Sequence, residues 1–252
     1  IERLDESGAT VVVRTKEGSV VRIEADLVVG ADGLGSAVAR TAGLVDRSGI
    51  GRKFGFSGPL PADALDEDAL RVGEVVLCVG DHGYLGLVRE GRGRLHVAAL
   101  VAGTGPDCAP AAVLASFARS HPQLARLERV APPRSTISAA GPMPWRTLSR
   151  TAPCVALVGD AAGYVEPFTG EGMTWAIESA VLLGEACAGG RFGVSERDRY
   201  ERAWTASLGA QQGRCALVAS VLERPRVLRS FAFMRTLAPR LAGRVARRLV
   251  PR

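Results

Sequence analysis

Two short runs of unbroken apolar residues, Leu27–Gly30 and Val155–Val158, each lead directly into an acid and glycines. Neither alternates, so each is expected to be a strand buried on both faces, as in a parallel sheet. The same succession follows each. Ala31-Asp32-Gly33-Leu34-Gly35-Ser36 leads into a helix over Ala37–Ala42. Gly159-Asp160, small residues and a loop redirected by Pro167 and Gly170 lead into a helix from Gly172 to about Gly189. The repeated order is strand, acid, glycines, helix, which defines an α/β fold class.

Before the first run, Val11–Thr15 and Val20–Glu24 are joined by Lys16-Glu17-Gly18-Ser19 and read as a hairpin. Between the two runs the texture changes. Lys53–Gly58, Glu74–Val79, Tyr84–Arg89 and Arg94–Val101 predict short strands of an antiparallel sheet. Pro110–Ser120 predicts a helix closed by Pro122, and Arg134–Ala140 a further strand. Beyond Gly193 the pattern is helical. Ser195-Glu196-Arg197-Asp198 resembles a capping box, and Tyr200, Trp204 and Leu208 form one stripe at i, i+4 and i+8 before Pro225.

Composition narrows the classes. At 252 residues and 47% hydrophobic, the chain has room for one or two domains with packed cores. Five well-separated cysteines without a CxxC indicate neither a zinc site nor a disulfide framework, so a reducing cytoplasm is expected. His82, His96 and His121 lack ligand spacing, and no metal is expected. No run of about 18 apolar residues suggests a membrane span. Only Lys16 and Lys53 among 32 basic residues are lysines. The net charge of +6 gathers in the tail, where Arg224–Arg252 holds nine arginines and no acid. Leu237, Leu241, Val245 and Leu249 recur there every four residues. Two readings stay open: a helix packed on the body with a solvated arginine face, or a basic amphipathic helix making peripheral contact with an anionic membrane. Nucleic acid is not expected, because the tail lacks interleaved Tyr or Trp for base stacking.

The candidate chemistry lies at the strand ends. Ligands of open α/β sheets sit beyond the carboxyl ends of strands, where Asp32 and Asp160 fall. A helix N-terminus adds free N–H groups and partial positive charge, and Gly170 and Gly172 let a flat or anionic ligand approach it. Gly159-Asp160 with Pro167-Phe168-Thr169-Gly170-Glu171-Gly172 resembles the second flavin motif of the p-hydroxybenzoate hydroxylase-like FAD oxidoreductases. The wording PFTGEG is similar to their geranylgeranyl reductase branch. VVGADGLGSAVAR resembles the family's Asp-Gly motif, with Ala39 where many members carry Arg, and Arg40 one place later.

The resemblance implies FAD as cofactor and NAD(P)H as electron donor. It implies that Asp32 and Gly33 lie near the pyrophosphate, and that Asp160 binds the ribityl or pyrophosphate part. Pro167 would be cofactor-binding too, and the backbone after it, at Gly170, Gly172 and Met173, would bind the pyrimidine edge of the flavin. It implies a partial FAD-binding Rossmann-like fold with an inserted antiparallel β substrate domain and a C-terminal helical segment. The implied segments are 1–51 with the Asp-Gly motif, 52–145 as the substrate sheet, 146–190 with the Gly-Asp motif, and 191–252 as helices. Phe54, Phe56, Tyr84, Leu85, Met143 and Trp145 are candidate pocket residues for a small hydrophobic or aromatic substrate. The family's G-x-G-x-x-G fingerprint and its ribose acid do not occur, so an N-terminal part is expected to be missing, or the ADP site lost. The implied reactions are reduction of isoprenoid or lipid-like double bonds, or monooxygenation of an aromatic or polyketide substrate. No side chain stands out as a catalytic acid or base. A nicotinamide-only dehydrogenase and a non-catalytic module with a vestigial flavin site are the alternatives.

Overall fold

A computed structural model describes residues 3–5, 8–46, 53–80, 82–103, 108–143, 146–165 and 170–222. In it the two apolar runs meet. Strands β4 (Val28–Gly30) and β13 (Val155–Leu157) pair in parallel, Val28 opposite Val155 and Gly30 opposite Leu157. Strand β12 (Thr151–Ala152) covers the other edge of β13, giving the order β12-β13-β4. Both faces of the β13 run are buried, as the lack of alternation implied. Ala156 and Val158 pack with Trp175, Leu183, Tyr200 and Trp204. Val155 and Leu157 pack with Ala39 and Leu44 on the opposite face. Burying each large apolar side chain contributes about 1.5–3 kcal/mol. Gly30 is where the strands press closest, since a Cβ there would come within 2.6 Å of the Leu157 side chain.

This pair belongs to the first of two units, Ile1–Gly49 with Trp145–Ala216; the second is Ile50–Pro144 with Leu217–Arg252. In the first unit β1 (Arg3–Asp5), β2 (Gly8–Arg14) and β3 (Val20–Ala25) form an antiparallel sheet, and β2–β3 is the expected hairpin. Helix α1 (Ala37–Thr41) starts at Ser36, whose hydroxyl accepts the Ala39 N–H at 2.9 Å, an N-cap of the usual kind. Strands β5 (Val45–Asp46) and β11 (Arg146–Thr147) pair antiparallel.

Helix α3 spans Gly172–Ala186, a turn shorter than the apolar run suggested, because the chain leaves the helix at Cys187. Helix α4 (Val194–Trp204) is capped at Gly193, not Ser195. Glu196 accepts the Gly193 N–H at 3.1 Å, and glycine has no side chain to reciprocate, so only half of the expected capping box exists. A π-type turn over Thr205–Gly209 joins α4 to α5 (Ala210–Leu222). The predicted stripe is buried as a unit: Tyr200, Trp204 and Leu208 are each no more than 3% exposed. The Tyr200 hydroxyl donates to the Leu157 carbonyl at 2.6 Å and so ties α4 to the end of β13.

The second unit is a five-stranded antiparallel sheet. Its strands are β6 (Lys53–Leu60), β7 (Val75–Gly80), β8 (Gly83–Arg89), β9 (Leu95–Ala102) and β10 (Ser138–Met143), in the order β10-β6-β9-β8-β7. Helix α2 (Pro110–Ser120) and the 3-10 segment Pro122–Arg129 bury Val113, Leu114, Phe117, Leu124 and Leu127 against one face. Pro59 lies in β6 beyond Ser57, where the pairing with β10 ends and only β9 borders the strand. The expected strand over Arg134–Ala140 begins later. Pro133 opens a 3-10 turn over Arg134–Thr136, whose Thr136 N–H returns to the Pro133 carbonyl at 3.0 Å, and extended pairing starts at Ser138. Inside the unit Arg89 is 4% exposed, and its guanidinium is met by the carbonyls of Leu70, Leu65, Asp66, Ala62 and Gly93.

Pro167, Trp145 and the arginine-rich tail with its Leu237–Leu249 stripe lie outside the described residues. Among the described residues no helix is long and apolar enough to cross a membrane.

Candidate functional site

The parallel register of β4 and β13 places Asp32 and Asp160 at the same carboxyl end of one sheet. Their surroundings differ. Asp32 is exposed, and its Oδ2 accepts the N–H groups of Ala37 at 2.6 Å and Val38 at 3.2 Å. Burial pushes the Asp32 carboxyl up, but hydrogen bonds from Ser36, Val38 and Ala37 outweigh it, and the net shift is downward. This carboxylate therefore already anchors the start of α1. Arg40 turns back onto the Gly35 carbonyl.

Asp160 is half-buried, and among the described residues its carboxylate accepts no hydrogen bond and forms no ion pair. Burial alone pushes its carboxyl above the ordinary carboxylate range. It sits in a 3-10 turn, Gly159–Ala161, built on a Gly159 with φ +60°. A Cβ at Gly159 would meet that of Ala176 at 3.3 Å. Gly159→Ala is therefore expected to cost about 1–2 kcal/mol from the left-handed conformation alone, read as a lower thermal midpoint. The turn is held from three sides. Ser179 accepts the Gly159 N–H at 2.8 Å, Thr147 donates to the Ala161 carbonyl at 3.3 Å, and Gln212 donates to the Gly163 carbonyl at 3.1 Å.

The turn packs on α3 at Ala176 and Ser179, one and two turns past the first residue of that helix. Glu171 occupies the cap position, and its side chain caps no N–H of the helix. The Trp175 N–H is the first to return to the helix, to the Glu171 carbonyl at 3.0 Å. Among the described residues the space over Gly170 and Gly172 is open, and Met173 is 79% exposed. Trp175 turns inward, its indole N–H donating to Gln211 at 3.1 Å. Among the described residues, a carboxylate without a partner and a helix start without a side-chain cap thus lie on one packed turn–helix unit, and together they can bind a ligand with hydroxyl donors at one end and an electron-rich edge at the other.

The pocket candidates of the sheet unit do not converge. Register pairs place Phe54 with Val101 and Phe56 with Ala99, all on the helix-covered face. Phe56 is 6% exposed within that core, and Phe54 lies against Gly141. Leu85 is core as well. Tyr84, paired with Val79 and Leu100, is on the opposite face. Phe54 and Phe56 thus share one face of the sheet and Tyr84 takes the other, because neighbouring residues in a strand alternate sides. The Met143 side chain is outside the described residues. His96 lies 3.5 Å from Glu90, and His121 reaches the Phe117 carbonyl. Among the described residues no three His, Cys, Asp or Glu side chains cluster as metal ligands would.

Sequence reasoning missed the supports of the turn. Ser179 carried a signal: it is the lone polar residue on the buried stripe Trp175, Ser179, Leu183, Ala186. Gln211, Gln212 and Thr147 carried none, because their partners are distant in sequence.

No known protein-family profile matches the chain. Over 225 residues it is 28% identical to a digeranylgeranylglycerophospholipid reductase of Methanothrix thermoacetophila, covering 78% of this chain and 50% of that protein. Over 195 residues it is 30% identical to a kynurenine 3-monooxygenase of Salinispora arenicola, covering 71% of this chain and 42% of that one. The chain thus spans about half the length of the curated relatives it matches. Among solved structures it resembles Klebsiella pneumoniae HpxO complexed with FAD and uric acid, with a TM-score of 0.69 and 20% identity over 96% of this chain and 62% of that one. That likeness, with the parallel pair and its strand-end acids, defines a mixed α/β protein of the Rossmann-like flavin type. The chain belongs to the FAD-dependent oxidoreductase superfamily.

Proposed function

We propose that the site formed by Asp160 and the start of α3 holds FAD, and that the protein is an FAD-dependent oxidoreductase using NAD(P)H as electron donor. The observation that carries this reading is the Asp160 carboxylate, which no described residue partners, on a turn that packs against α3 at Ala176 and Ser179. The donor set fits the group. Asp160 would accept hydroxyl donors of the ribityl chain, and the backbone from Gly170 to Met173 would face the pyrimidine edge. Pro167 would shape the approach to it. Asp32 and Gly33 would stand near the pyrophosphate, with Asp32 acting through the start of α1 it already organises. The flavin, when bound, supplies the hydride or oxygen chemistry. The chain's part is to bind it, orient it and stabilise negative charge at the helix start.

The substrate is a small hydrophobic or aromatic molecule, and the five-stranded sheet is its domain. Tyr84 is the remaining described candidate for contact with it, and Trp145 a further one. The PFTGEG wording and the reductase relatives favour reduction of isoprenoid-like double bonds. The monooxygenase relatives favour hydroxylation as the second reading, with peripheral membrane contact through the basic tail accompanying only the first. Substrate-dependent oxygen consumption separates the two.

Asp160→Ala tests the site. Losing a charge-assisted hydrogen bond costs about 1.5–3 kcal/mol, so FAD affinity is expected to fall at least about tenfold. Unchanged flavin content in the purified variant would remove the assignment. The same residue has a second signature. Its folded-state carboxyl binds its proton more tightly than the unfolded one, so its contribution to stability is full at low pH and is lost as pH rises through the folded value. Asp160→Asn is therefore expected to raise the thermal midpoint of the ligand-free protein at neutral pH and to flatten its pH dependence just above the ordinary carboxylate range.

A further inference from the structure

Ser179 is 1% exposed in the middle of α3, where a hydroxyl contributes nothing to an apolar seam. Both of its hydrogen-bonding roles are used. Its Oγ donates to the Ala176 carbonyl at 2.9 Å and accepts the Gly159 N–H at 2.8 Å. The second bond crosses from the helix to the residue immediately before Asp160. At the same place Gly159 is pressed toward Ala176, one turn earlier on the same helix. One helix thus supplies the open N-terminus at Gly172 and, two turns on, the clamp that fixes the turn carrying Asp160. Gln211 and Gln212 brace both ends from α5, through Trp175 and Gly163.

We infer that Ser179 is a positioning residue for the cofactor site: its bond to Gly159 fixes the Asp160 carboxylate relative to the N-terminus of α3. This rests on the proposed FAD site. Without the hydroxyl the Gly159 N–H loses its acceptor and the turn is free to shift against α3, although no atom that touches the ligand has changed. The two halves of the site would then no longer be held at one spacing, and a rigid ligand spanning them would bind less tightly.

The test compares Ser179→Ala, Asp160→Ala and the double variant of the full protein by FAD dissociation constant, flavin midpoint potential and thermal midpoint. Ser179→Ala is expected to weaken FAD about tenfold, the scale of one hydrogen bond, and to shift the midpoint potential of the flavin that remains bound. The double variant should bind no more weakly than Asp160→Ala, because both act through one carboxylate. Ser179→Cys, which keeps the size and a weak acceptor, should fall between wild type and Ser179→Ala, and it carries the comparison if the alanine variant does not fold. The inference is overturned if Ser179→Ala binds FAD as wild type does. It is equally overturned if the two losses simply add, or if affinity falls only in step with the thermal midpoint and the potential is unmoved. If Asp160→Ala itself retains wild-type affinity, the site reading fails and this inference with it. If Asp160→Ala weakens FAD and Ser179→Ala does not, the site stands and only the positioning role is lost.

Discussion

Replacing Arg89 with methionine is expected to unfold the sheet unit under conditions where the wild type is native. Arg89 ends β8 and turns its guanidinium into the protein, where Nε meets the Leu70 carbonyl at 3.0 Å and Nη2 meets that of Leu65 at 3.1 Å. Asp66, Ala62 and Gly93 supply further carbonyls. The two 3-10 turns Ala62–Ala64 and Glu67–Ala69 are thereby gathered around one cation. Methionine would fill much of the volume and satisfy none of these oxygens. Leaving a buried acceptor without its partner typically costs about 1–3 kcal/mol, and several carbonyls lose theirs at once, a large fraction of the stability of an ordinary domain. Arg89→Lys should recover only part of it, since an ammonium has three donors and no planar fork. Chemical denaturation of the three proteins provides the comparison. A midpoint for Arg89→Met equal to that of wild type would show that the carbonyl cage contributes nothing net.

The second large effect is self-association of the chain when prepared as residues 1–252. Helix α3 carries large apolar residues on its outer side as well as on its buried stripe, and a helix apolar on both sides is normally covered on both. Here Met173, Ile177 and Val181 are 79%, 68% and 53% exposed, and Ala180 and Gly184 beside them are exposed too. Strand β4 is an edge of its sheet, and Val29 on it is 45% exposed. An exposed apolar helix face invites non-specific burial, and an open strand edge invites strand addition. We expect concentration-dependent light scattering, binding of a hydrophobic dye, a broad thermal transition and weak retention of FAD. Ile177→Lys with Val181→Lys should suppress the scattering without lowering the helix content. A monodisperse, cooperatively unfolding monomer carrying one FAD would show that this face is at home in water.

The elements most legible in the sequence were those whose physics is local. Unbroken apolar runs announced β4 and β13, a four-residue polar turn announced the β2–β3 hairpin, and Tyr200, Trp204 and Leu208 announced the buried side of α4. What escaped depends on neighbours that sequence spacing does not reveal. The true cap of α4 at Gly193 and the late start of β10 after Pro133 were decided by single hydrogen bonds. Phe54 and Phe56 read equally well as pocket or core until pairing with Val101 and Ala99 assigned them to the helix-covered face. At the site, the position of Asp160 was legible from the strand before it. That no described residue partners Asp160 while Ala37 and Val38 occupy Asp32 was not, because the two acids follow closely similar patterns. Ser179 marks the middle ground: visible as a polar interruption, with a purpose that appears only when Gly159 is placed beside it.

The pairing of Val28 with Val155 also bears on how the protein is made. Every residue of the five-stranded sheet lies between these partners in the chain, so their contact is among the most distant in sequence. Closing so long a loop carries an entropic cost that grows slowly with length, and topologies rich in such contacts fold slowly. During synthesis β4 emerges early and must wait for β13, whereas the sheet unit can form from neighbouring hairpins in the meantime. The parallel pair, and with it the meeting of the two acidic turns, is therefore a late event.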